Sequence, residues 1–418
     1  MKATYSYTMM SFLILLSVNS LAKDTSNDPF MWLEDVDADK SMDWVLEQNK
    51  NTADQYKANP LYQELYDQAL STLNNKSRIP SVNQRGEWVY NYWKDEKNPR
   101  GIYRRAKLED FNQKENPKWQ TVLDMDQYNA DNEGNWVFKG MNCLSPKYRK
   151  CLVSISPGGG DAVMMKEFNM KSKKFIEDGF SLPKSKMRVT WRDEDHLFVA
   201  TDFGADSLTD SGYPRVMKLW QRGTDLSSAK TLLTADKKSV SVFAFRDGKG
   251  EKAKDFIIDS TSFWTNQYYQ WVNGQALTLD LPPTAEVSGV FQGDMVVSLK
   301  EDWQYQGQLL AEGTVLIINP DVLTGQKSLV EKSDWSVFLT PRANENIESI
   351  STSDETIIVT LLSDVVSQVN VYRPNDGGWS VETVEFPANG AIGVTAVDDE
   401  SGAFFAEYES CIMPPTLY

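Results

Sequence analysis

The sequence predicts an all-β protein, a seven-bladed β-propeller preceded by a short α-helical segment. Three observations carry that prediction. From about residue 80 onward, apolar and aromatic residues fall into short runs of β character separated by Gly, Asp, Asn and Pro. These runs come in hairpin pairs that repeat along the chain at intervals close to those of propeller blades. Aromatic residues reach 11% (13 Trp, 17 Tyr and 18 Phe), which suits broad, half-buried sheets. A hydrophobic share of 41% and a charged share of 24% give the balance of a folded soluble protein and exclude a disordered tail or a fibre.

The first element is an export signal over residues 1–22. Lys2 supplies the basic start, residues 9–18 form a ten-residue apolar run, and Ser20-Leu21-Ala22 offers the small residues a signal peptidase reads. That run covers half of the ~20 residues a bilayer-spanning helix needs, so a membrane anchor is not expected. No Cys follows it, and a lipid anchor is not expected either. Export to the periplasm or the medium follows. Residues 23–78 then carry helical periodicity. Met42, Val45, Leu46 and Asn49 are spaced on one face behind Asp39 and Ser41. A second helix opens at Asn59-Pro60, a cap followed by Pro at the first helical position, and continues through Leu61, Tyr62, Leu65, Tyr66, Ala69, Leu70 and Leu73.

Residues 79–410 are the propeller. Its leading strands are expected at 87–93, 151–156, 197–202, 255–261, 295–299, 356–362 and 403–407. Six have partner runs, at 102–107, 163–169, 215–221, 268–272, 314–318 and 368–373. The mean step is (403 − 87)/6, about 53 residues, close to the ~40–50 of a blade, although single steps vary from 40 to 64. A pair of β-sandwiches is the other architecture such spacing allows. A propeller is preferred because radial repetition hides sheet edges in a chain with this many similar hairpins. No Gly-Ser or Pro-rich linker divides the region, so it is read as one domain, and residues 411–418 as the start of a linker.

The chemistry is restricted by one number. His196 is the single histidine, which closes the chain to two-histidine zinc sites and means that a Ser-His-Asp triad would have to use that residue. A net charge of −16, with no basic cluster denser than Lys171, Lys173 and Lys174, argues against nucleic acid as a partner. Asp35, Asp37 and Asp39 resemble the start of a calcium loop, but Lys40 and Leu46 stand where Gly and Glu are required, so they are read as acidic residues leading into a helix. Asp193-Glu194-Asp195-His196 reads as an acidic turn before a strand. Ser156-Pro157-Gly158-Gly159-Gly160-Asp161 lacks the Lys-Ser/Thr of a phosphate loop and reads as a turn. There is no Gly-x-Ser-x-Gly elbow. No catalytic, cofactor-binding or metal-binding residue is therefore assigned. Cys143 and Cys151 flank a segment able to turn between two strands, and either a bridge or two buried thiols fits them; with a bridge, Cys411 is unpaired.

Several motifs together resemble the prolyl oligopeptidase family of serine peptidases. Asp28-Pro29-Phe30-Met31-Trp32-Leu33-Glu34-Asp35, with Trp44-Val45 and Gln48-Asn49, is similar to the amino-terminal signature of that family. Gly86-Glu87-Trp88-Val89-Tyr90-Asn91-Tyr92-Trp93, Pro99-Arg100-Gly101-Ile102-Tyr103-Arg104-Arg105 and Thr209-Asp210-Ser211-Gly212-Tyr213-Pro214-Arg215 follow in the family's order. Tyr408-Glu409-Ser410 with Pro414-Pro415-Thr416-Leu417-Tyr418 looks like the junction leaving its propeller. The resemblance implies a seven-bladed propeller that caps an α/β-hydrolase domain and admits only short peptides to it. It also implies that the nucleophile, acid and histidine of the triad lie beyond that junction, so none is carried onto this chain and His196 matches no triad position. The expectation is a propeller portion that gates peptide access, catalytically silent by itself, with a separately encoded hydrolase as one partner. The rival expectation is a free-standing, non-catalytic propeller that binds peptides or a partner protein.

Overall fold

The runs singled out in the sequence form the second and third strands of seven antiparallel sheets arranged as a seven-bladed β-propeller. The computed structural model describes residues 28–75, 77–113, 116–248, 252–327, 331 and 334–418; the export signal expected over 1–22 lies outside them. The chain divides into two compact units, a helical one reaching Leu73 and a β one over Asn74–Tyr418.

In the helical unit, α1 (Asp39–Lys57) and α2 (Leu61–Leu73) form where the 3.6-residue periodicity lies. Asn59 Oδ1 accepts the Leu61 N–H at 3.0 Å, so the cap expected at Asn59-Pro60 starts α2. The single turn Met31–Glu34 is pinned to α1 by the buried Ser41, whose hydroxyl donates to the Trp32 carbonyl at 3.1 Å, and by the edge-on pair Trp32–Trp44. Leu61, Leu65, Leu70 and Leu73 of α2 are exposed.

In the β unit the first strands are Asn83–Arg85, Trp136–Cys143, Arg188–Asp193, Ser241–Asp247, Glu286–Phe291, Glu345–Thr352 and Ala391–Val397. Each pairs with a second strand: Trp88–Trp93, Lys150–Pro157, His196–Ala200, Lys254–Ser260, Asp294–Ser298, Ile357–Ser363 and Phe404–Glu409. The repeat is thus a four-stranded meander, not the hairpin expected, and the runs taken as leading are second in each blade. The reason is burial. A second strand is covered on both faces by neighbouring blades and carries a continuous apolar stretch, such as Leu197-Phe198-Val199-Ala200, whereas most first-strand residues are only partly buried, and fourth strands such as Gly378–Val384 are largely exposed. The seventh blade has three strands, its third being only Thr416–Leu417, which explains why no partner run was legible there.

Seven apolar clusters make up the core, one at each seam between blades. The period of two in a strand distributes side chains between seams. In blade 3, Leu197 and Val199 pack toward blade 2, while Phe198 and Ala200 pack toward blade 4. In blade 5, Met295 and Val297 face blade 4 and Val296 faces blade 6. Each fully buried Leu, Val or Phe contributes about 1.5–3 kcal/mol. The uneven steps have local causes. Helices α3 (Leu108–Gln113) and α4 (Met125–Asp131) lengthen the first interval, α4 being capped by Asp124 Oδ1 on the Asp126 and Gln127 N–H groups. A hairpin, Trp303–Tyr305 with Gln308–Leu310, and α5 (Pro320–Leu323), both inserted within blade 5, lengthen the interval between the second strands of blades 5 and 6.

Blade 1 is built wholly from the first strands of the β unit and blade 7 wholly from its last, so no sheet combines the two ends. Side chains close the ring. Val82, Val89, Ala396 and Phe405 are the buried members of this seam, fewer than in any other seam among the described residues, with Phe111 edge-on to Phe405 at 5.6 Å. The Gly86 N–H donates to Asp398 Oδ1 at 2.9 Å across it. Cys143 and Cys151 face each other on the first two strands of blade 2 and are disulfide-bonded, and Cys411 is free and exposed.

Candidate functional site

The first strands line the central opening, as the innermost strands of propeller blades do. Because all run the same way, their turns into the second strands gather at one end of the ring. There they surround a cavity of about 890 Å³ whose wall includes Ser145, Asp247, Val290, Thr352, Asp354 and Asp399, drawn from blades 2, 4, 5, 6 and 7. Blades 5 and 6 come close at this wall: a Cβ on Gly289 would lie 2.5 Å from Thr352 Oγ1.

Charge is organised around this end. Asp255, 5% exposed, receives Arg192 Nε at 2.8 Å from blade 3 and Arg246 Nη1 at 2.6 Å from its own blade. Asp247 accepts the Gly248 N–H at 2.6 Å and the Val290 N–H at 3.2 Å, linking blades 4 and 5. Burial, aided by the nearby carboxylates Asp399 and Asp354, pushes the Asp247 carboxyl above the usual aspartate range despite those bonds. On the closing seam the balance is reversed. Burial raises the Asp398 carboxyl, but the hydrogen bonds from Ser401, Gly86 and Glu400 outweigh it and hold it below 3.8. A depressed aspartate contributes stability that is complete above the ordinary value and is lost as the pH falls through the lower folded value. Between about pH 5 and 3 the wild-type melting temperature should therefore fall more than that of Asp398→Asn, as thermal unfolding at each pH would register.

At the opposite end lie the turns from second to third strands, and there the most exposed of the ring's large apolar residues collect. Phe263 (86% exposed), Trp264 (84%), Leu309, Val365 and Ile412 come from blades 4, 5, 6 and 7. The turn carrying Phe263 and Trp264 is cross-linked by its own hydrogen bonds. Thr265 Oγ1 lies 2.8 Å from Thr261 Oγ1 and 2.6 Å from Ser262 Oγ, the Ser262 N–H donates to the Thr265 carbonyl, and the Trp264 N–H donates to Ser262 Oγ.

The residues weighed from sequence fall elsewhere. His196 opens the second strand of blade 3 with Nδ1 2.8 Å from Asp193 Oδ1, and among the described residues no serine hydroxyl bonds its ring. Asp39 is the first residue of α1. The glycines after Ser156 make the turn between two strands of blade 2, where Ser156 Oγ donates to the Gly160 and Ala162 carbonyls. Lys173 Nζ donates to the Thr121 carbonyl. Sequence reasoning missed the Arg192–Asp255–Arg246 clamp, in which Arg192 is 63 positions from the carboxylate it meets. It also passed over Phe263-Trp264, although two aromatic residues inside a Ser/Thr turn are a signal of display.

A family profile described as prolyl oligopeptidase, N-terminal beta-propeller domain, matches residues 16–418. An uncharacterized peptidase of Sinorhizobium fredii is 31% identical over 408 residues, 96% of this chain and 56% of the relative. One of Rickettsia prowazekii is 24% identical, covering 93% of this chain and 55% of the relative. The chain thus spans about half the length of the curated relatives it matches. A solved post-proline cleaving enzyme from Rickettsia typhi superposes with a TM-score of 0.84 at 23% identity, over 93% of this chain and 58% of that one. Oligopeptidase B from Trypanosoma brucei does so with a TM-score of 0.68 at 14% identity, over 94% and 54%. Both likenesses concern the fold.

Proposed function

The chain belongs to the prolyl oligopeptidase family through its N-terminal β-propeller domain, and from that premise we propose that it is the peptide-admitting part of a serine-type oligopeptidase. In this reading an α/β-hydrolase domain, supplied outside these residues, sits on the end of the ring that displays Phe263, Trp264, Val365 and Ile412. Short peptides reach it through the central opening, and folded proteins are too wide to pass. The observation that carries the reading is the gathering of exposed apolar side chains at the same end as the terminal segment around Ile412, since patches of this kind mark association surfaces. The chemistry in the hydrolase would be serine attack on a peptide carbonyl, with a histidine moving the proton and an oxyanion hole holding the charge. The ring contributes selection by size. Export belongs to the same proposal and is supported by the apolar run at 9–18 and the paired Cys143 and Cys151.

The test compares the chain alone with the chain extended after Tyr418 by the part of the Sinorhizobium fredii relative that it does not match. A proline-containing chromogenic peptide should be untouched by the first and cleaved by the second, in a manner abolished by a serine-directed inhibitor, while a folded protein substrate survives both. Inhibitor-sensitive turnover by the unextended chain would overturn the proposal. Peptide binding in the opening without any gain on extension would favour a free-standing binding propeller.

A further inference from the structure

The first strand of blade 1 has three residues, Asn83–Arg85, whereas the other six have between six and eight. None of the described residues lining the cavity comes from blade 1, and loop 144–149 of blade 2 reaches past it to blade 7. Tyr148 Oη donates to Asp399 Oδ2 of blade 7 at 2.8 Å, so blade 2 is joined to blade 7 across blade 1. The preceding residue, Asp398, holds the Gly86 N–H, and the Asp399 carbonyl accepts the Asp354 N–H of blade 6 at 2.9 Å. Loop 144–149 is shaped to make this reach. The Tyr148 N–H donates to the Leu144 carbonyl at 2.8 Å, and Tyr148 itself has φ +48°, a conformation a tyrosine holds only when its surroundings fix it. The Cys143–Cys151 disulfide closes the base of the loop, and Arg85 of blade 1 reaches that base, with Nη1 3.1 Å from Cys143 Sγ and Nη2 donating to the Met141 carbonyl.

We infer that the disulfide-closed hairpin of blade 2 is a redox-sensitive latch holding the seam between blades 1 and 7 shut at the cavity mouth. Among the described residues this seam has the fewest buried members, so a tie across it governs its opening more than a tie elsewhere would. A dithiol reductant opens the latch in two exchanges. One of its sulfurs bonds to the half-buried Cys143 Sγ, the Cys143–Cys151 bond breaks, and Cys151 leaves as the thiol. The second reductant sulfur then displaces Cys143 as a thiol and closes a cyclic disulfide. Two electrons and two protons have passed to the protein. With the covalent tie gone, backbone pairing such as that of the Leu144 N–H with the Lys150 carbonyl alone holds the base, so loop 144–149 gives up the Tyr148–Asp399 bond more readily and the seam loosens. The latch belongs to the ring itself, whether or not a hydrolase domain completes it.

Amide hydrogen exchange of the full chain tests this directly, with dithiothreitol as the reductant. Exchange at Gly86, Val89 and Phe405 should rise about tenfold on reduction, as loss of one hydrogen bond to a charged group implies, while Val296 in the seam between blades 5 and 6 is unchanged. Tyr148→Phe, with the disulfide intact, should reproduce the loosened seam and respond no further to reduction. An unchanged seam in either sample would overturn the latch, as would an equal rise at every seam, which would make the disulfide a general stabiliser.

Discussion

Arg222→Ala is expected to lower the unfolding free energy by about 3–5 kcal/mol, the cost of leaving a buried charge without its partner. Glu167 sits on the third strand of blade 2 with no exposed surface. Its Oε2 accepts Arg222 Nη1 at 2.7 Å and the Phe180 N–H at 2.9 Å, and its Oε1 accepts Arg222 Nη2 at 3.0 Å. The guanidinium comes from blade 3 and covers the Phe180 ring at 4.4 Å, so truncation removes the charge, both hydrogen bonds and an apolar cover at once. Replacing both partners, as in Glu167→Leu with Arg222→Met, should cost less than Arg222→Ala alone, because no orphaned carboxylate remains. Urea unfolding of the three chains decides it. A loss below about 1 kcal/mol in Arg222→Ala would mean that water reaches the carboxylate.

The second large effect concerns association and rests on the proposed docking end. Phe263→Ser with Trp264→Ser should weaken capture of a separately expressed hydrolase domain by about 2–4 kcal/mol, roughly 30- to 1,000-fold in Kd, as expected for aromatic anchors at the centre of an interface. The same pair should change the stability of the ring by no more than about 0.5 kcal/mol, because both side chains project into solvent and pack on nothing that folding requires. The backbone that carries the two aromatics is tied by the Thr261, Ser262 and Thr265 hydroxyls before any partner arrives, so little backbone ordering entropy opposes their docking. Calorimetric titration against the unmatched part of the Sinorhizobium fredii relative, beside thermal unfolding of the ring, measures both quantities. Undiminished affinity would remove these residues from the interface.

How far the fold could be read from the chain follows from where each strand lies. Runs such as Leu197-Phe198-Val199-Ala200 and Ile357-Ile358-Val359 stood out because both faces of a second strand are buried, which forces an unbroken apolar string. First strands such as Glu345–Thr352 alternate weakly, since one edge borders an aqueous opening, and so they escaped notice. α2 is legible to within a residue because its cap, Asn59, and its periodicity agree. Links between blades left no local trace. Asp255 meets Arg192 across 63 positions and Tyr148 meets Asp399 across 251, and a single chain offers no periodicity that joins such pairs. The pairing of Cys143 with Cys151 was open for a different reason. Proximity in sequence permits a bridge, and only the facing register of the two strands decides it.

Each second strand gives alternate side chains to two different seams, so a blade has no private interior. Excising any one of them would bare two greasy surfaces, the flanks of its former neighbours, and those flanks were cut for a seven-fold angle. A six-membered remnant should therefore clump in solution instead of resealing, and damage at one sector of the wheel should be felt on both sides of it.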